Sequence, residues 1–105
     1  MFMEQYTEMW TALDDIAERI RALGFPAPAS YAALSKLSSV PDVDDVPEAM
    51  QMVRTLVAGH ETLARTTRAA LRVADEADDD SSADLMTQRL QVHEKTAWML
   101  RSMLK

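Results

Sequence analysis

Asp14 and Glu18 are residues whose types and spacing could do chemistry. Four positions apart, they fall on one face of a helix about one turn from each other. Two carboxylates so placed can bridge or clamp a cation. Taken bare, an Asp-x-x-x-Glu pair is more often a solvated helical face than a metal site. The two histidines, His60 and His93, are each followed by a glutamate (Glu61 and Glu94), but adjacent residues diverge on a helix and do not readily share an ion. Both lie on apolar stripes, where the expected role is a packed imidazole whose nitrogen finds a partner. The Glu-x-x-His pattern of di-iron bundles is absent, so a self-contained metal site within one chain is not expected. No cysteine is present, which excludes disulfides, thiolate ligands and cysteine nucleophiles. Six acids and no base fall between Asp75 and Asp84, a segment whose field attracts cations and repels phosphates.

The elements that must position these groups are helices. Apolar residues recur at three- and four-residue steps from Phe2 through Tyr6, Met9, Trp10, Leu13, Ile16, Ala17 and Ile20 to Leu23. Gly24, followed by Pro26 and Pro28, ends that helix. Ser30 to Val40 predicts a short helix of two or three turns with Ser30 as its N-cap. Pro41 to Asp45 is an acidic loop, and Pro47 suits the first position of a long helix. The apolar face of that helix runs Met50, Val53, Leu56, Val57, His60, Leu63, Ala64, Thr67, Leu71, Ala74, and Gly59 weakens it without breaking it. Asp78 to Ser82 predicts a tight turn, with Ser81 or Ser82 capping a last helix that reaches Leu104. Its stripe is Met86, Leu90, His93, Ala97, Leu100 and Leu104, with Trp98, Met99 and Met103 widening the buried face. The expectation is an all-α single domain over residues 1–105: three long helices, one short connecting helix and no strand.

Composition agrees. Of 105 residues 48% are apolar and 6% aromatic, which suits a folded helical protein rather than a disordered one. A bundle this small buries a useful core only by packing its elements tightly or by associating. Net charge is −6, from 17 acids against 11 bases. The start, MFMEQYTEMW, lacks the basic and apolar regions of a signal peptide, and no apolar run is long enough to span a membrane. A bacterial cytoplasm is the expected compartment.

The stretch Leu13-Asp14-Asp15-Ile16-Ala17-Glu18-Arg19, with Leu23-Gly24 and Pro26-Ala27 after it, resembles the second signature of the Dps family in the ferritin-like superfamily. The short helix SYAALSKLSSV is similar to the extra helix that Dps proteins carry between their second and third bundle helices. Ser82-Ala83-Asp84-Leu85 after the acidic turn, and His93-Glu94-Lys95-Thr96-Ala97-Trp98-Met99-Leu100, resemble the family's final helix. The family's first bundle helix, with the histidine-bearing signature that follows it, has no counterpart here, so the resemblance implies a ferritin-like bundle lacking its first helix.

The resemblance implies iron binding, ferrous oxidation and storage with protection against peroxide, at a site shared between subunits. Asp14 and Glu18 would supply one half and histidines of another subunit the other; Met3 stands where the family has a further acidic ligand. Asp79 and Asp84 match acids that line iron-entry pores in the family's twelve-subunit cage, though a solvated loop with capping acids explains them equally well. Iron is the expected cargo, a homo-oligomer the expected assembly, and ferroxidase the implied activity. Direct DNA binding and nucleoid association are not expected, because no Lys-rich tail or aromatic-basic interleaving is present. The alternative is a non-catalytic helical bundle that self-associates, a remnant of such a protein whose iron site is lost. A small acidic regulatory protein has no motif in its favour.

Overall fold

The computed structural model describes residues 2–41 and 48–104. Four α-helices occupy them, α1 (Phe2–Ala22), α2 (Tyr31–Leu37), α3 (Ala49–Glu76) and α4 (Asp80–Ser102), with no strand among the described residues. The chain divides into two compact units, Met1–Ser38 and Ser39–Lys105. No helix among the described residues is long and apolar enough to cross a membrane.

In the first unit α1 ends as the sequence predicts. Gly24 takes a positive φ of 95°, its N–H donates to the Arg21 carbonyl at 3.0 Å, and the Phe25 N–H donates to the Ile20 carbonyl at 3.2 Å. These two bonds close a Schellman motif around the residue type that bears a left-handed backbone at least cost. Ser30 caps α2 as expected, its Oγ accepting from the Ala33 N–H at 3.1 Å. Two turns form, the lower of the expected lengths, and the helix stops at Leu37 because at Ser38 the backbone turns extended, with ψ at 136°. The apolar stripe of α1 is also less buried than expected. Ala12 is buried and Ile16, Ala17 and Ile20 are half-buried, whereas Tyr6, Met9, Trp10 and Leu13 are exposed. Within this unit the seven-residue α2 is too short to cover a helix of 21 residues.

The second unit is a helical hairpin in which α3 and α4 pack on each other. Its core gathers Val53, Val57 and Leu100, with Leu104 against them and Leu100 wholly buried. Of the face predicted on α3, Val53, Val57, His60, Ala64, Thr67 and Ala74 are buried. Met50 and Leu56 lie at its edge and are exposed. On α4 the line Arg89, His93, Ala97, Leu100 is buried, but Trp98, Met99 and Met103, expected to widen that face, are exposed. Within this unit α3 covers one stripe of α4, and these three side chains lie off it. The expectation for Pro47 falls outside the described residues; α3 begins at Ala49 with Glu48 in the N-cap position.

The turn between α3 and α4 repeats the closure seen after α1. The Asp78 N–H donates to the Asp75 carbonyl at 3.1 Å and the Asp79 N–H to the Ala74 carbonyl at 2.9 Å. Here the left-handed position is held by an aspartate, Asp78, at φ 56°. Because that motif ends at Asp79, the next helix starts there. Asp79 rather than Ser81 or Ser82 is its N-cap, with Oδ1 accepting from the Ser82 N–H at 3.2 Å and Oδ2 from the Ser82 hydroxyl at 2.6 Å.

Candidate metal centre

Asp14 and Glu18 lie on α1, four residues and so about 6 Å apart along the helix axis. Both are exposed, which leaves the carboxylates open to an ion arriving from solvent. Met3, in the first turn of α1, is 74% exposed. Among the described residues no group of three or more histidines, aspartates or glutamates converges as a metal site. Asp14 and Glu18 therefore supply at most part of a coordination sphere that wants about six donors for a hard divalent ion or four to six for ferrous iron.

The acids near the turn divide in their roles. Asp79, half-buried, has both carboxylate oxygens engaged by Ser82, so its first function is to start α4. Asp84 is exposed one turn into α4, and its Oδ2 accepts from the Gln88 amide at 2.9 Å.

The histidines are brought together, which their separate readings in sequence did not foresee. His60 and His93 are both 5% exposed, and their Nδ1 atoms stand 3.0 Å apart. The rings are tilted by 37° with centroids 5.3 Å apart. Arg89, 6% exposed, approaches Nε2 of His93 at 3.2 Å. The sequence reading passed over Arg89, although its position four residues before His93 places it on the buried stripe of α4.

Comparison with known proteins gives these positions a context. A model of the ferritin-like domain matches residues 1–105, the whole chain. DNA protection during starvation protein 2 of Bacillus anthracis is 33% identical across 98% of this chain and 70% of its own length. The crystal structure of a Dps protein from Bacillus brevis superposes with a TM-score of 0.94 at 34% identity, over 99% of this chain and 70% of that one. The chain belongs to the Dps branch of the ferritin-like family. A Dps protein from Vibrio cholerae, described as a member of a broad superfamily of ferritin-like diiron-carboxylate proteins, aligns with a TM-score of 0.92 at 30% identity, covering 99% of this chain and 65% of that one. An uncharacterised low temperature-induced protein of Nostoc sp. is 37% identical over the full chain, which spans 60% of that relative's length. The all-helical Dps fold expected from the sequence is thus the fold found, and Asp14 and Glu18 sit on a helix that is part of it.

Proposed function

We propose that this Dps family member binds ferrous iron through Asp14 and Glu18, promotes its oxidation and takes part in iron storage, so limiting damage by peroxide. The observation that carries the reading is the pair of exposed carboxylates one turn apart on α1 of a chain that belongs to this family. Iron is the substrate. Two ferrous ions deliver two electrons to one hydrogen peroxide, and with two protons the O–O bond breaks to give two waters and two ferric ions. Carboxylates favour this chemistry because hard anionic oxygens stabilise the ferric product more than the ferrous substrate.

In this reading the remaining ligands come from another subunit, so the working form is a homo-oligomer. Asp79 and Asp84 fit an acidic entry route if their turn lines a pore: a ring of carboxylates concentrates cations by its field. Asp84 is the freer of the two for such a role, since Asp79 already caps α4. A net charge of −6 also favours cations over the phosphates of DNA as ligands.

A second reading is a self-associating bundle without iron chemistry. The exposure of Tyr6, Met9, Trp10 and Leu13 along α1, at 62%, 41%, 54% and 50%, favours it, since apolar side chains grouped in this way are usually covered by another surface. Ferrous oxidation separates the two. Ferric absorbance after peroxide addition is followed for the 105-residue chain, for an Asp14→Ala, Glu18→Ala double variant and for a protein-free control. Oxidation well above both controls supports the iron reading; equal rates in all three leave only the associating bundle.

A further inference from the structure

Eight methionines stand in a chain that has no cysteine. With no thiol present, their thioethers are the side chains that peroxide attacks most readily. Methionine is among the residue types most often found fully buried, yet the buried apolar core of the described residues is built of alanine, valine and leucine and holds no methionine. Met86 is half-buried, whereas Met50, Met52, Met99 and Met103 are exposed at 41%, 41%, 39% and 45%. These last four gather at one end of the α3–α4 hairpin. Met50 and Met52 lie in the first turn of α3, Met99 lies in the last turn of α4, and Met103 is the C-cap of α4. Val53 and Val57 pack with Leu100, so the start of α3 lies beside the end of α4.

We propose that this end of the hairpin is a peroxide-consuming site, at which Met50, Met52, Met99 and Met103 are converted to sulfoxides while the hairpin stays folded. In each reaction the thioether sulfur gives a lone pair to one peroxide oxygen. An S–O bond forms, the O–O bond breaks, and the second oxygen leaves with both protons as water. The sulfur is oxidised by two electrons and the peroxide is reduced by the same two. No iron takes part, so the inference does not rest on the carboxylates of α1.

Position decides what oxidation does to the fold. A sulfoxide is polar, and inside a core its oxygen would be held away from water without a partner. Methionine has three rotatable bonds, and a side chain as exposed as these four can turn its new oxygen into solvent. Contact between the helices at this end rests on Val53, Val57, Leu100 and Leu104, whose hydrocarbon side chains peroxide leaves unaltered. The oxidisable groups thus surround the apolar contact without belonging to it.

The test exposes the full chain to hydrogen peroxide with an iron chelator present and follows each methionine by peptide mass spectrometry, beside N-acetylmethionine in the same solution. Expected is one added oxygen on each of the four residues, at a rate within about tenfold of the free compound and ahead of Met86. The oxidised chain should keep its helical circular dichroism, and its folding constant from urea unfolding should fall by less than about tenfold. A Met50→Leu, Met52→Leu, Met99→Leu, Met103→Leu variant keeps similar apolar volume without the sulfurs, and its total oxygen uptake should fall by the share of those four residues. Oxidation of the four more than about tenfold slower than the free compound overturns the proposal, as do Met86 reacting first and loss of helix in step with oxygen uptake. A variant that takes up as much oxygen as the unaltered chain overturns it too. Should that variant not fold, residue-by-residue uptake and the helicity of the unaltered chain decide alone.

Discussion

Replacing Asp78 by glycine should stabilise the protein. Asp78 occupies the left-handed position that closes α3, at φ 56°. A β-carbon there costs about 1–2 kcal/mol for an ordinary L-residue, and aspartate suffers less because its short side chain tolerates the region. Its charge is also misplaced. The C-terminal end of a helix carries partial negative charge, α3 has no basic residue in its last turn, and Asp75 and Glu76 already stand there. Removing one more carboxylate is worth about 0.3–1 kcal/mol at low salt. Against these gains, glycine widens the unfolded ensemble by about 0.5–1 kcal/mol. The net for Asp78→Gly is stabilisation by about 1 kcal/mol, which for a domain of this size raises Tm by roughly 4–8 °C. Asp78→Ala separates the two causes. It relieves the charge but raises the backbone strain, so its net effect should lie near zero. Thermal and urea unfolding of the three proteins, at low and high salt, provide the measurement. Alanine matching or exceeding glycine would refute the backbone argument and leave only charge.

Two other substitutions probe the hairpin. Gly59 lies inside α3, and among the described residues a methyl group added to it would meet only Val40 Cγ1, at an ordinary contact distance of 3.9 Å. Gly59→Ala should therefore stabilise by about 0.5–1 kcal/mol, visible as a higher urea midpoint at unchanged slope. Leu100 is wholly buried against Val53 and Val57, and Leu100→Ala should destabilise by about 3 kcal/mol, of which about 2 is lost transfer energy and the rest the cavity; a loss under about 1 kcal/mol would mean that the core collapses around the gap.

The helices and their stops were legible because each rests on local chemistry. Three- and four-residue spacing marks the buried lines of α3 and α4, Gly24 marks one closure, and Ser30 marks one cap. The start of α4 was not. Asp78 to Ser82 offers five residues all able to cap, and the choice of Asp79 depends on where the preceding motif closes. Arg89 was passed over for a related reason: arginine reads as a surface residue unless its partner is known, and that partner, His93, belongs to a pair completed from another helix. The exposure of Trp98, Met99 and Met103 could not be seen in the spacing either, since spacing tells which residues share a face and not how wide a neighbour will cover it. For the candidate iron site, Asp14 and Glu18 were found by spacing and by likeness to a family motif, and the structure sets both on the surface of α1 without assembling the rest of a ligand set.

The buried pair of imidazoles has one more consequence, for which alignment of α3 and α4 is allowed. Ala64, Thr67, Ala74 and Ala97 present small, nearly interchangeable surfaces, and a seam of such residues discriminates poorly between the native alignment and one slipped by a helical turn. The His60–His93 bond does discriminate. A slip of about 5.4 Å carries each ring beyond hydrogen-bond range of the other and breaks that buried bond, a loss of about 0.5–1.5 kcal/mol. Val53, Val57 and Leu100 supply attraction between the two helices, while the imidazoles make one alignment the rule and its neighbours errors.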